Sequence, residues 1–265
     1  MGRWSCWGLA PRSRSRPAMP SRSRHRAAAA SAGREIEARE RAMPKTMLIT
    51  GASRGLGRGL AETYARAGWQ VHAVARQAGD LESVSGITAH ELEITDRKAI
   101  ATLRTRFAEA RLDLVINNAG IWGPQAQDLG PIDADAWLDA FRVNAMCPYY
   151  VAEALLDPLA RGRGRIVTIT SGMASITNNS SGGDYIYRSS KAAASMAMRS
   201  LSRDVVSRGL CVVTLDPGWV RTAMGGAEAP LSIEESVSAM HRTIEGLTSR
   251  DNGKFLNLYG NEVPW

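Results

Sequence analysis

The chain has 265 residues, of which 44% are hydrophobic, and a formal net charge of +7, and this length favours one large domain. No apolar run reaches 18 residues, so the sequence predicts no transmembrane helix. The four histidines and three cysteines show no metal-ligand spacing, and unpaired cysteines are typical of a reducing compartment. We therefore expect a cytoplasmic protein that binds no metal and no membrane.

The positive charge comes from residues 1–42, which hold ten arginines and three glutamates, whereas the rest of the chain is neutral. This Arg- and Ser-rich segment has no hydrophobic periodicity, and we expect it to be disordered. Three interpretations remain open. It is an organelle-targeting peptide, a basic arm that binds nucleic acid, or a segment outside the natural protein, which would then start at Met43 or Met47. We favour the last, expect no nucleic-acid partner, and place the folded domain at residues 43–265.

The domain opens with a short apolar strand at residues 47–50, a glycine-rich turn and a helix at residues 60–67. Glycines let the backbone approach a pyrophosphate, and a helix N-terminus supplies free N–H groups. Because a predicted strand precedes the glycines and a predicted helix follows them, the pattern indicates a phosphate-binding turn rather than a simple tight turn. We predict a dinucleotide-phosphate site formed by Gly51, Ser53, Arg54, Gly55, Leu56 and Gly57.

The end of the second predicted strand, residues 70–75, indicates which dinucleotide binds. NAD sites usually carry an acidic residue there for the ribose 2′-OH, whereas an arginine accommodates a 2′-phosphate. This chain has Arg76 and no acid at that position, and Arg54 adds a second cation. The pattern favours NADP(H) over NAD(H), although Arg76 is also compatible with a solvated loop.

Further strands are predicted at residues 87–94, 112–116, 165–170, 210–215 and 255–259, with helices between them. The alternation predicts an α/β fold, with one Rossmann-type, doubly wound parallel sheet of about seven strands and helices on both faces. Two strand ends carry small, amide or turn residues that suit a backbone close to a ligand. They contribute Asn118, Ala119 and Gly120 after one strand, and Pro217, Gly218, Val220 and Thr222 after another.

Residues 137–160 are predicted to be mostly helical. Asn144 is polar within an apolar stretch, and Pro148 lacks the N–H that would normally bond the Asn144 carbonyl. Either the carbonyl is freed for a water molecule or the irregularity has no function.

Tyr187 and Lys191 are four residues apart in a predicted helix, so their side chains share one face. A cation beside a tyrosine lowers the phenol pKa from about 10, which makes Tyr187 a candidate general acid or base. Tyr185 falls on another face. Ser171 ends the strand at residues 165–170, where active sites of open α/β sheets lie.

Taken together, the chain resembles the short-chain dehydrogenase/reductase family from about residue 46 to residue 265. The marks, in family order, are Thr50-Gly-x-x-x-Gly-x-Gly57, Asn117-Asn-Ala-Gly120, Asn144, Ser171, Tyr187-x-x-x-Lys191 and Pro217-Gly-x-Val-x-Thr222. The sixteen-residue interval from Ser171 to Tyr187 and the Pro217–Gly226 and Gly260–Trp265 segments are similar to its C-factor and sniffer-like branch. Glu93 stands where the family usually has Asp near the adenine.

The resemblance implies the roles of the site residues. Tyr187 exchanges a proton with the carbonyl or alcohol oxygen, Lys191 lowers the Tyr187 pKa and bonds the nicotinamide ribose, Ser171 orients the substrate oxygen, and Asn144 holds a water. It also implies a homodimer or homotetramer that pairs through the helices of Asn144 and Lys191. The hydride belongs to the nicotinamide.

The sequence thus predicts an NADP(H)-dependent oxidoreductase that interconverts a carbonyl (aldehyde, ketone or quinone) and an alcohol. Ile121, Trp122, Trp219 and Met224 are expected to line an apolar substrate pocket, unless they pack in the core. The alternative is a dinucleotide-binding signalling or regulatory protein on the same fold.

Overall fold

A computed structural model describes residues 43–265 of the chain, and our expectation of disorder in segment 1–42 lies outside the described residues. One sheet of seven parallel strands has the order β3-β2-β1-β4-β5-β6-β7. The strands are β1 (Thr46–Thr50), β2 (Gln70–Ala75), β3 (Ile87–Glu91), β4 (Leu114–Asn117), β5 (Arg165–Ile169), β6 (Cys211–Asp216) and β7 (Phe255–Asn257). The predicted doubly wound sheet is confirmed. Its strand order reverses between β1 and β4, which opens a crevice at the carboxyl ends of these strands.

Within residues 43–265, seven α-helices connect the strands. They are α1 (Gly55–Arg66), α2 (Arg97–Arg106), α3 (Ala134–Phe141), α4 (Cys147–Ala154), α5 (Leu156–Gly162), α6 (Tyr185–Asp204) and α7 (Ile233–Gly246). The first of them begins within the glycine turn, earlier than predicted. Within the described part of the chain, none is long and apolar enough to span a membrane.

The strands bury both of their faces, which is why they read as continuous apolar runs. Successive residues of β1 alternate between two cores: Ile49 belongs to the core that includes Tyr64 of α1 and Met240 of α7. Leu48 belongs to the opposite core, which includes Met198 of α6. Helices therefore cover both faces, and α6 is held against the strands whose ends form the crevice.

The single helix predicted at residues 137–160 is broken into α3, α4 and α5. Between α3 and α4 lies a π-helical turn, Arg142–Met146, in which the Cys147 N–H donates to the Arg142 carbonyl five residues back. Pro148 stands at the start of α4 and has no N–H to donate, so regular α-helical bonding cannot continue through Asn144. The predicted irregularity is real, and it widens the helix.

Two histidines form a hydrogen-bonded pair, His72 on β2 and His90 on the edge strand β3. Their nearest nitrogens, His72 Nδ1 and His90 Nε2, are 3.0 Å apart, and Arg106 donates to His90 Nδ1 over 2.6 Å. Since arginine only donates, His90 carries its proton on Nε2 and donates to His72. Burial lowers the pKa of His72 to about 4 and also lowers that of His90, so the folded protein keeps both rings neutral.

The neutral pair predicts an acid-sensitive fold. The unfolded His72 takes up a proton near its ordinary pKa of about 6.5, whereas the folded one resists protonation until about 4. Stability is therefore complete above pH 6.5 and falls as pH drops through this window. We expect the thermal midpoint of His72→Gln to depend less on pH between 6.5 and 4 than that of the wild type. Identical slopes for the two proteins would contradict this.

Candidate active site

A cleft of about 1120 Å³ opens at the carboxyl ends of the strands. Its walls come from the glycine loop after β1, the ends of β2 and β4, the π-helical turn, α6 and the segment after β6. The predicted site residues among its lining are Gly51, Ser53, Arg54, Gly55, Leu56, Gly57, Arg76, Glu93, Asn118, Ala119, Gly120, Tyr187, Lys191, Pro217 and Thr222. Residues far apart in sequence thus meet in one cavity.

The glycine loop is braced against the end of β4. The Thr50 hydroxyl accepts hydrogen bonds from the backbone N–H groups of Asn118 and Ala119, both over 3.2 Å. In return, the Asn118 amide donates to the carbonyls of Thr50 and Gly51, over 3.0 and 3.1 Å. Asn118 therefore holds the loop in place.

The close packing of the loop requires glycine at position 57. A Cβ atom there would lie 2.2 Å from the Gly51 carbonyl oxygen and 2.4 Å from the Asn118 amide nitrogen. These are backbone and braced atoms that cannot yield easily. We expect Gly57→Ala to destabilise the fold by about 1–3 kcal/mol and to weaken dinucleotide binding about tenfold or more, measured by thermal unfolding and by titration calorimetry.

Gly246→Ala is the matched control for this prediction. Gly246 is the last residue of α7, and a Cβ there would meet no described atom within 4 Å. The control is expected to leave dinucleotide affinity unchanged and to keep or slightly raise stability. Equal effects of the two substitutions would contradict the proposed role of the loop.

The loop and the start of α1 suit an anion. The N-cap residue, Arg54, makes no side-chain capping bond, and the first turn contains no acidic residue. The positive end of the helix dipole is therefore left for a ligand. Arg54 and Arg76 are both exposed at the rim, and neither has an ion-pair partner among residues 43–265. This loop and its two cations fit the phosphates of a dinucleotide.

Tyr187 and Lys191 lie together in the wall of the cleft, and their side chains are nearly inaccessible, with relative exposures of 6% and 4%. The Lys191 ammonium is 5.7 Å from the centre of the Tyr187 ring and donates to the Ile169 carbonyl over 3.0 Å. The predicted shared face of α6 is observed, and Tyr185 lies half exposed on another face.

The expectation that Lys191 lowers the Tyr187 pKa is wrong for this arrangement. Burial raises the Tyr187 pKa to about 12, and the nearby Asp216 carboxylate raises it further, while a hydrogen bond with Ser171 opposes the rise. Burial also lowers the pKa of Lys191 to about 8. Burial is the largest cause of both shifts, because it disfavours the charged form of each group.

Asn144 braces the loop after β4 beside Lys191. Its Oδ1 accepts from the Ile121 N–H over 2.8 Å, and its Nδ2 donates to the Ile121 carbonyl and the Ser190 hydroxyl, both over 2.9 Å. A Cβ on Gly120 would lie 3.1 Å from Asn144 Oδ1 and 3.2 Å from Lys191 Nζ. Glycine at 120 thus allows these two side chains to approach the strand end.

Ser171 lies at the end of β5 and caps a short turn by accepting from the Met173 N–H over 3.2 Å. Its hydrogen bond with Tyr187 brings together the two residues that the sequence separates by sixteen positions. The neighbouring Asp216 accepts from the Gly218 N–H over 3.1 Å. Burial raises the Asp216 pKa, against the effect of its backbone hydrogen bonds.

Some predicted residues lie outside the cleft lining. Ser171 and Asn144 are absent from the lining, but Ser171 interacts with Tyr187 and Asn144 lies beside Lys191 at the end of β4. Gly218 and Val220 are also absent from the lining: Val220 is buried and forms a β-bridge with Leu231, and Gly218 adopts a positive φ of 77°. Their backbone shapes the segment that carries Thr222 into the cleft.

The predicted apolar pocket is partly observed. Ile121 and Met224 line the cleft, whereas Trp122 stacks on the Tyr187 ring with centroids 4.3 Å apart. Trp219 is 57% exposed and donates its indole N–H to the Gly225 carbonyl. None of the four is a core residue, so the alternative that they pack in the core is wrong.

Sequence reasoning missed several residues of the site. Asp139 in α3, and Arg142 and Val143 in the π-helical turn, line the cleft. The Thr50 hydroxyl and the buried Gln127 were also missed. Thr50 had a signal, as the polar end of an apolar strand, but Gln127 lies in a loop without a recognisable pattern.

Residues 45–230 match the family model described as short chain dehydrogenase. The chain is 42% identical over 162 residues to the C-signal of Myxococcus xanthus, a match that covers 61% of this chain and 97% of that protein. With the sheet order and the grouped Ser171, Tyr187 and Lys191, this defines the class: the chain belongs to the short-chain dehydrogenase family of oxidoreductases.

Solved structures place the chain near the carbonyl reductases of that family. The carbonyl reductase Sniffer of D. melanogaster superposes with a TM-score of 0.79 and 31% identity, over 84% of this chain and all (100%) of that one. A carbonyl reductase from Pseudomonas aeruginosa PAO1 in complex with NADP superposes with a TM-score of 0.72 and 34% identity, over 84% and 100% of the two chains. The predicted resemblance is confirmed.

Proposed function

We propose that this protein is an NADP(H)-dependent carbonyl reductase in which Tyr187 is the general acid or base. The observation that carries the proposal is the burial of Tyr187 beside Lys191 in the wall of a dinucleotide-sized cleft headed by the braced glycine loop. NADP in complex with the P. aeruginosa reductase supports the choice of cofactor.

The lining of the cleft supports an assignment of the residues that would hold the dinucleotide. The glycine loop and the start of α1 take the pyrophosphate, and Arg54 and Arg76 pair with the 2′-phosphate. Glu93 would contact the adenine, and Lys191 with the end of β4 would hold the nicotinamide ribose, since all of them line the cleft. When bound, the nicotinamide supplies or accepts the hydride.

The chemical step that this chain's own side chains would perform is the transfer of one proton. Tyr187, with its pKa raised to about 12, stays protonated at neutral pH and donates to the carbonyl oxygen. Ser171 orients that oxygen, and Asn144 fixes the loop next to Lys191 and holds a water. The protonated phenol is the form that donates in reduction, and the phenolate is the form that accepts in alcohol oxidation.

Apolar side chains at the mouth favour a substrate with hydrophobic bulk. Ile121, Met224 and Trp122 surround the approach to Tyr187, so aldehydes, ketones and quinones with an aromatic or aliphatic body are the proposed substrates. The exposed Leu138, Met146 and Tyr149 on and between α3 and α4 support a homodimer or homotetramer.

The deciding experiment follows oxidation of NADPH and NADH by the full chain with a panel of such carbonyls. Turnover that prefers NADPH is the expected result. Tight NADPH binding without turnover on any carbonyl would overturn the reductase proposal and favour the second candidate, a dinucleotide-binding signalling protein. The 42% identity with the C-signal of M. xanthus supports that candidate.

A further inference from the structure

The helix that carries Tyr187 and Lys191 does not cap its own N-terminus. The N-cap residue of α6, Asp184, has a left-handed backbone with φ of 49° and makes no side-chain capping bond. The first N–H groups of a helix have no acceptor within the helix and need one from elsewhere. For α6, the acceptors come from another loop.

Gln127, in the loop after β4, supplies two of these acceptors. Its backbone carbonyl accepts from the Tyr185 N–H over 3.1 Å, and its Oε1 accepts from the Tyr187 N–H over 2.8 Å. The Gln127 residue is 1% exposed. A single buried side chain thus caps the helix at the backbone of the catalytic residue itself.

The other end of the same amide holds the loop. Gln127 Nε2 donates to the Trp122 carbonyl over 3.0 Å and to the Pro124 carbonyl over 2.8 Å. Both Nε2 hydrogens and Oε1 are therefore used, and no rotamer change preserves all three bonds. The buried amide links the loop to α6 in one orientation.

The loop after β4 also contacts the Tyr187 side chain directly, through the ring of Trp122. The Trp122 ring stacks on the Tyr187 ring, with centroids 4.3 Å apart and planes inclined by 29°, an arrangement that is favourable beyond the burial of the two rings. The contacts close a ring that runs from the Tyr187 N–H through Gln127 and the Trp122 carbonyl to the two stacked side chains.

We propose that Gln127 is a positioning residue for Tyr187: it caps α6 from the loop after β4 and holds Trp122 against one face of the phenol. Trp122 then determines the side from which a carbonyl substrate reaches the hydroxyl. The consequence for catalysis rests on the proposed reductase function, but the ring of contacts does not.

The first test measures structure rather than turnover. Gln127→Met has similar length and no nitrogen or oxygen in its side chain, so it removes the bond to the Tyr187 N–H and the bonds to the Trp122 and Pro124 carbonyls. The backbone carbonyl that accepts from Tyr185 remains. In the full chain we expect faster amide hydrogen exchange at Tyr187 and at residues 121–127, with exchange in β4 and β5 unchanged. Unchanged protection of the Tyr187 amide would overturn the proposal.

Gln127→Glu and two Trp122 variants test separately the cap on α6, the bonds that hold the loop and the stacking on Tyr187. Glutamate keeps an acceptor for the Tyr187 N–H and loses both donors, so the Tyr187 amide should stay protected while residues 121–124 exchange faster. Trp122→Phe keeps a ring that can stack on Tyr187, whereas Trp122→Leu does not. Because Trp122 is only half-buried, we expect its variants to fold, and they still test the proposal if the Gln127 variants do not fold. Equal behaviour of the Phe and Leu variants would overturn the stacking role.

The second test measures carbonyl reduction. Gln127→Met and Trp122→Leu are each expected to lower kcat about tenfold or more, since small displacements of a catalytic group are costly. NADPH affinity should stay within about twofold, because the phosphate-binding residues lie on other elements. The double variant should be no slower than the slower single variant, as expected for residues that act through one contact ring.

The positioning role would be overturned if the kcat losses of the two single variants added up in the double variant. It would also be overturned if the loss of activity in each variant matched a loss of NADPH affinity. If the wild type reduces no carbonyl, the reductase proposal fails, and hydrogen exchange still decides whether Gln127 caps α6 and ties Trp122 to Tyr187.

Discussion

Tyr187→Phe is expected to lower kcat for carbonyl reduction by about 10²–10⁴-fold, the usual contribution of a positioned proton donor. The phenylalanine ring fills the same buried volume, so the stack with Trp122 and the start of α6 remain. The removed group is the hydroxyl, which bonds with Ser171 and would donate to the substrate. NADPH affinity should change by less than about threefold, because the phosphate-binding residues are untouched.

Tyr185→Phe is the control for this substitution. Tyr185 is two residues away on the same helix, but its side chain is 39% exposed and lies outside the cleft lining. The variant is expected to keep wild-type turnover. Rapid reduction by Tyr187→Phe, measured by loss of NADPH absorbance, would eliminate Tyr187 as the proton donor.

Arg76→Asp is expected to reverse or abolish the preference for NADPH over NADH. A hydrogen bond to a charged group contributes about 1.5–3 kcal/mol, which corresponds to a change of about 10–100-fold in NADPH affinity. The introduced carboxylate repels a 2′-phosphate and accepts from a ribose 2′-OH. Calorimetric dissociation constants for both dinucleotides provide the measurement.

Arg250→Asp makes the same charge change at an exposed position in the short turn Ser249–Asp251, outside the cleft. It separates a local contact at Arg76 from a general effect of net charge. Arg76→Asp should bind NADPH about tenfold or more weakly than Arg250→Asp does, and NADH at least as tightly. Similar values for both would mean that Arg76 is a solvated loop residue.

The sequence by itself determined the parallel sheet and the edge of it, at the carboxyl ends of the strands, where the predicted dinucleotide site lies. Apolar runs of strand length alternate with helical segments, and such alternation packs as a parallel sheet covered on both faces. Local spacing was enough to predict the roles of the glycines at 51, 55 and 57, of Arg76 and of the Tyr187–Lys191 pair. Local spacing decides strand and helix type, turn geometry and which side chains share a helix face.

Only the tertiary structure decided how these parts act on one another. The sign of the Tyr187 pKa shift depends on burial, and burial depends on what packs around α6. Pro148 made an irregular helix predictable, but only the structure showed that the irregularity is a π-helical turn and that Arg142 in it lines the cleft. Gln127 caps a helix sixty positions away. These effects come from desolvation and long-range hydrogen bonding, which act between residues that the sequence does not place side by side.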